Sequence, residues 1–181
     1  MIIDNNIINS GFAEKVQAES KVDIFSCYQC GKCTAGCPMV NDMDHTPNKI
    51  IRMVQLGMEK EALSGNTIWL CASCITCSVR CPREIELAEV MDVLRRMAYR
   101  KNILPKNNKN IPLFNKIFLK NIEIFGRSYE LGLIGALNTL SGKFFKDFSV
   151  APKMFLKSKI GIFPKIISSA RKIFKNSRKL E

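Results

Sequence analysis

Eight cysteines set the terms for this chain, and they fall in two runs of identical spacing. The first reads Cys27-Tyr-Gln-Cys30-Gly-Lys-Cys33-Thr-Ala-Gly-Cys37-Pro38, the second Cys71-Ala-Ser-Cys74-Ile-Thr-Cys77-Ser-Val-Arg-Cys81-Pro82. Each is C-x2-C-x2-C-x3-C-P. Three cysteines at this pitch curl a loop around a common centre. The fourth follows a wider gap and precedes a proline that turns the chain away. No cysteine is left over. Any fold the chain adopts must first bring these two loops into working geometry.

The spacing is that of a [4Fe–4S] cubane site in bacterial-type ferredoxins, where the fourth cysteine of each run serves the other cluster. The expected ligand sets are therefore Cys27, Cys30, Cys33 and Cys81 for one cluster, and Cys71, Cys74, Cys77 and Cys37 for the second. A structural zinc site takes four ligands, typically two short pairs, which leaves the third cysteine and the proline of each run unexplained. A disulfide framework fits less well. The opening Met-Ile-Ile-Asp-Asn-Asn has no basic flank, long apolar core or small-residue cleavage site, so a reducing, cytoplasmic setting is expected.

The chain has 181 residues, enough for one domain with an appendage, and ligation itself contributes folding free energy. Its formal charge of +12 is unevenly spread. Up to Leu94 there are 8 basic and 12 acidic residues; from Arg95 onward there are 20 and 4. Two oxidised clusters with their thiolates, each −2, bring the total to about +8. A basic second half points to an acidic partner surface, a lipid surface or nucleic acid.

Helical periodicity dominates, and strand alternation is nearly absent. Residues 9–20 read as a short helix with Phe12 and Val16 on one face. Thr46-Pro47 opens a second, with Ile50, Ile51 and Val54 inward and Gly57 near its end. Another turn or two follows over Met58–Leu63. Glu84 to Arg100 carries Leu87, Val90, Met91, Leu94, Met97 and Ala98 at helical spacing, with acids at its positive end. Leu104-Pro105 to Asn110 reads as a linker. Beyond it, 112–125 and 129–140 are apolar helical segments, and 143–174 mixes basic and aromatic residues with glycine and proline breaks. No apolar run reaches the roughly 20 residues that span a bilayer. The 33 residues between Cys37 and Cys71 are themselves helical in pattern, which predicts an all-helical ferredoxin domain over 1–103 and a basic amphipathic helical extension over 104–181.

A cubane held by four cysteines has no vacant iron, so it passes single electrons without binding substrate. Lys32 and Arg80, inside the runs, are candidates for raising the cluster potentials. Gly31 and Gly36 are expected to let backbone approach the first cluster; the second run has no glycine, so a different hydrogen-bond pattern is expected there. Nucleotide-binding glycine motifs are missing, and the lone His45 sits in a polar, Asp-rich turn as a surface residue. No catalytic residue is assigned.

The two runs, the helical interval and the length resemble the C subunit of heterodisulfide reductase from methanogenic archaea. Similar two-cluster modules occur in anaerobic glycerol-3-phosphate dehydrogenase and in succinate dehydrogenases. The resemblance spans about residues 20–103. It implies a relay protein passing electrons from a flavin-containing A subunit, fed by a hydrogenase or formate dehydrogenase, to a B subunit with CCG motifs that reduces the coenzyme M–coenzyme B heterodisulfide. The CCG motif is missing from this chain, as a separate B subunit implies. Two other classes are a relay in a membrane-associated respiratory complex, with the basic tail on anionic lipid, and a nucleic-acid-binding protein with structural clusters, for which the tail offers no recognition motif.

Overall fold

In the computed structural model the described residues are 11–105, 110–140 and 167. Their regular elements are all helices, without a strand, and fall into two compact units, residues 1–109 and 110–181.

The first unit is built around one helix. α1 covers Phe12–Ser20, α2 Lys32–Ala35, α3 Pro47–Gln55, α4 Glu59–Ser64, α5 Thr67–Leu70, α6 Thr76–Val79 and α7 Leu87–Arg100. α7 touches α1, α4, α5 and α6. Its apolar stripe explains this: Val90, Met91, Val93 and Leu94 are buried, with Met97 and Ala98 continuing the face. Phe12 and Val16 from α1, Ile50, Ile51 and Val54 from α3, Leu63 from α4 and Ile68 from α5 complete the core. Each such side chain contributes about 1.5–3 kcal/mol on burial. Trp69 of α5 meets Tyr99 of α7 edge to face, ring centroids 4.9 Å apart. Exposed ion pairs from Arg100 to Glu19 and from Lys101 to Glu59 add little beside this packing.

Local chemistry ends the helices. Thr46 is extended before Pro47, which occupies the first helical position of α3 where no N–H is needed. At its other end Gly57 takes φ 70°, its N–H donating to Val54 O while Met58 N–H donates to Met53 O, the two bonds of a Schellman cap. α7 closes the same way, with Asn102 at φ 53° and Ile103 N–H reaching Ala98 O. Helix α7 starts at Leu87 rather than at Glu84. Glu84 sits at φ 55° and closes a turn onto Cys81 O, which holds it outside the helix.

The second unit, in its described part, is a helical hairpin of α8, Asn110–Phe125, and α9, Glu130–Leu140. Asn121 clamps the turn, accepting from Tyr129 N–H at 2.7 Å and donating to Tyr129 O at 3.1 Å. α9 buries none of its side chains, and Leu119, Ile134 and Leu140 are exposed. The basic, aromatic stretch 143–174 lies outside the described residues except for Ile167.

Candidate metal centre

The sequence duplication is also a backbone duplication. In each run the residue before the second cysteine is left-handed, Gln29 at φ 63° and Ser73 at φ 50°. The residue after it is left-handed too, Gly31 at φ 78° and Ile75 at φ 55°. One helical turn then carries the third cysteine. N–H groups of Thr34 and Ala35 bond Gly31 O, as those of Ser78 and Val79 bond Ile75 O; Cys37 N–H bonds Thr34 O, as Cys81 N–H bonds Ser78 O. The expectation of a different pattern in the glycine-free run is therefore corrected. Curling the loop around a centre requires the left-handed residue, and Ile75 adopts it at a strain of about 1–3 kcal/mol for a β-branched side chain.

All eight cysteines are free of disulfides, and they divide by position. Cys37, Cys71, Cys74 and Cys77 line one cavity, walled by Met39 and Met43 and by Leu87, Ala88 and Met91 near the start of α7. Cys27, Cys30 and Cys33 do not border it. The exposed Tyr28 phenol is pushed up by lost hydration and then by the charge of neighbouring Cys30, with a smaller push from Cys81 of the second run. α2 and α6 touch, and the Cys33 thiol lies close enough to Cys77 to feel its charge.

Cys30 and Cys74, the second cysteine of each run, are exposed; the other six are partly buried. Burial pushes the Cys33 and Cys77 thiols up. The hydroxyl of Thr76, 3.5 Å from the Cys74 sulfur, pulls that thiol down by hydrogen bonding to its thiolate. Soft sulfur donors around an apolar cavity suit iron–sulfur chemistry rather than a hard cation. Among the described residues no three such side chains converge as closely as one ion requires, about 3.8 Å between sulfurs on a tetrahedral zinc. Four thiolates around a cubane stand farther apart than that, and four cysteines line this one cavity.

A layer of polar groups fixes the loops. Gln29 Nε2 donates to Cys27 Sγ at 3.4 Å, and Asn48 of α3 donates to Gln29 Oε1 at 3.3 Å. Thr34 and Thr46 donate to Asn48 Oδ1, so the first loop is tied to α3. Arg95 of α7 holds the second loop through Cys71 O and Ser73 Oγ, anchored itself by Asp92. The Asp44 carboxylate accepts from the N–H groups of Asn66 and Thr67 at 2.7 and 3.0 Å, capping the helical turn that leads into Cys71. None of these supports is marked by the cysteine pattern. Lys32 is exposed at the head of α2. His45 does not line the cysteine cavity; its backbone N–H and C=O pair with the Thr67 hydroxyl.

Residues 23–85 match the model of the 4Fe–4S dicluster domain family. They form a 4Fe–4S dicluster domain. The C subunit of the H2:CoB–CoM heterodisulfide,ferredoxin reductase of Methanothermobacter marburgensis is 31% identical over 116 residues, 61% of this chain and 63% of the relative. The C2 subunit of the H2/formate:CoB–CoM heterodisulfide,ferredoxin reductase of Methanococcus maripaludis is 37% identical over 106 residues, 58% of this chain and 56% of the relative. The C subunit of the ferredoxin:CoB–CoM heterodisulfide reductase of Methanosarcina mazei is 34% identical over 97 residues, 54% and 60% of the two chains. The chain thus spans less than two thirds of the length of these curated relatives. The dicluster domain carries two [4Fe–4S] clusters. Among the described residues no helix is long and apolar enough to cross a membrane.

Proposed function

We propose that this chain is the electron-relay subunit of a heterodisulfide reductase complex. It would accept electrons from a flavin-containing A-type subunit, itself supplied by a hydrogenase or formate dehydrogenase. It would deliver them to a B-type subunit with CCG motifs that reduces the coenzyme M–coenzyme B heterodisulfide. The observation that carries the reading is the cavity where Cys37 of one run joins Cys71, Cys74 and Cys77 of the other, in a domain resembling the C subunits of such complexes.

When bound, each cluster supplies one-electron transfer at a centre whose iron has no free coordination site. Everything else is done by the chain. Cys27, Cys30, Cys33 and Cys81 are assigned to the first cluster, and Cys71, Cys74, Cys77 and Cys37 to the second. Exposed Cys30 and Cys74 give each centre an edge toward a partner, while Cys33, within reach of the Cys77 charge, and the contact of α2 with α6 give the two centres a shared inner side. Thr76 and Gln29, bonding to ligand sulfurs, favour the more negative reduced state of their clusters. The exposed apolar side chains of α8 and α9, in a basic half of the chain, are assigned to docking on acidic partner subunits.

Anaerobic native purification with mass spectrometry of the co-migrating chains tests the reading. A flavoprotein together with a CCG-motif protein is the expected result. A membrane-spanning haem or quinone-binding partner in their place overturns it. Truncation after residue 104 should leave both clusters assembled and abolish co-purification.

A further inference from the structure

Because the two cysteine runs are duplicates, each position in one has a counterpart in the other. Gly36, just before Cys37, corresponds to Arg80, just before Cys81. These counterparts meet. A Cβ placed on Gly36 would stand 2.7 Å from Arg80 Cδ, 2.8 Å from Nη1 and 2.9 Å from Nε. When equivalent positions of a duplicated motif touch, the local two-fold axis relating the copies runs between them. The one-turn helices α2 and α6, which lead into these residues, are also in contact.

At this place the duplication is broken in charge. One copy presents a guanidinium and the other only a backbone. Gly36 has φ −100° and ψ 0°, which other residues adopt readily, so its backbone does not require glycine. What a Cβ at 36 would displace is the exposed Arg80 side chain, which rests on this backbone. A second arginine there would put two like charges in one space. Among the described residues Arg80 makes no ion pair that would neutralise it.

We infer that Arg80 is a potential-setting cation shared by both clusters, seated on Gly36 at the axis between them, one residue from the fourth cysteine of each. The inference rests on the crossed assignment of Cys37 and Cys81 given above. Each cluster with its thiolates gains a further negative charge on reduction. A cation one residue from a ligand of each cluster stabilises both reduced forms and so raises both potentials.

The test is a potentiometric titration followed by electron paramagnetic resonance, on the anaerobically reconstituted full chain, with iron and sulfide counted in every variant. Arg80→Gln is expected to keep both clusters and to lower both midpoint potentials by comparable amounts. Arg80→Lys should restore most of the shift. Gly36→Ala, which keeps the charge but takes its seat, should lower both by less than Arg80→Gln. A shift confined to one cluster, or none in any of the three, overturns the inference. Loss of iron and sulfide in both Arg80→Gln and Gly36→Ala also overturns it, by making the contact structural. If the unsubstituted chain itself holds a single cluster, the two-cluster assignment fails first and the inference with it.

Discussion

Replacing Asp44 with alanine should loosen the segment that delivers Cys71 to its cluster while leaving the rest of the core intact. The carboxylate sits 22 residues upstream of Asn66 and acts as the cap of α5. Its Oδ2 accepts the Asn66 N–H, and its Oδ1 accepts both the N–H and the hydroxyl of Thr67, at 2.7, 3.0 and 2.6 Å. The hydroxyl is not stranded by the substitution, because His45 O also lies 2.6 Å from it. The two N–H groups lose their acceptor, in residues that are themselves buried. Loss of a cap costs about 0.5–2 kcal/mol, and bonds to a charged acceptor sit at the upper end. The carboxylate is open to solvent, which holds the total near ~2 kcal/mol.

That is roughly a 30-fold increase in local opening. Hydrogen exchange read by mass spectrometry on the reconstituted holoprotein should show it as faster exchange confined to residues 65–71. Asp42→Ala, at a neighbouring acid whose carboxylate makes no hydrogen bond among the described residues, should show nothing. Burial raises the Asp44 carboxyl, but its hydrogen bonds from Thr67 and Asn66 outweigh this and hold it below the ordinary value. A depressed folded value means the stabilisation is complete above the unfolded value of about 3.9 and is lost as pH falls through the folded one. The difference between Asp44→Ala and the parent should thus be constant near neutrality and vanish in strong acid. Unchanged exchange at 65–71 at neutral pH would refute the reasoning.

Cys81→Ala should remove the cluster of Cys27, Cys30 and Cys33 and spare the other, halving the iron count; selective loss of the second cluster would reverse the crossed assignment. Thr76→Val removes the hydroxyl beside Cys74 and should lower the potential of that cluster alone in a redox titration. Leu94→Ala opens a cavity at a fully buried position of α7 and should cost about 2–5 kcal/mol, seen as a lower temperature of cluster loss. Ile75→Gly relieves the left-handed strain in the second loop and should slow cluster loss, by about 1 kcal/mol in local stability.

What the sequence made legible were features whose cause is local. Thr46-Pro47 and Gly57 bound α3 because a proline start and a left-handed end depend only on neighbouring residues. The spacing of Leu87, Val90, Met91 and Leu94 marked the central helix, since one face of it is buried along its length. The cysteine runs announced their cofactor for the same reason. Contacts between distant residues were silent. Nothing in the sequence joins Asp44 to Thr67, or Asn48 to Gln29, until the chain brings them together. Gly36 was read as room for a cluster, and the room is taken by Arg80. Ile75 concealed a left-handed turn because a β-branched residue is the least expected one there.

The central claim is that both cysteine runs hold [4Fe–4S] clusters close enough to act as one relay. Stepwise anaerobic reduction of the reconstituted chain, with iron and sulfide quantified and paramagnetic resonance recorded at each step, tests it most directly. The expected result is four irons and four sulfides for each of two clusters, and a fully reduced spectrum broadened by coupling between two reduced centres. Iron for a single cluster, or two centres whose signals add without interacting, would contradict it.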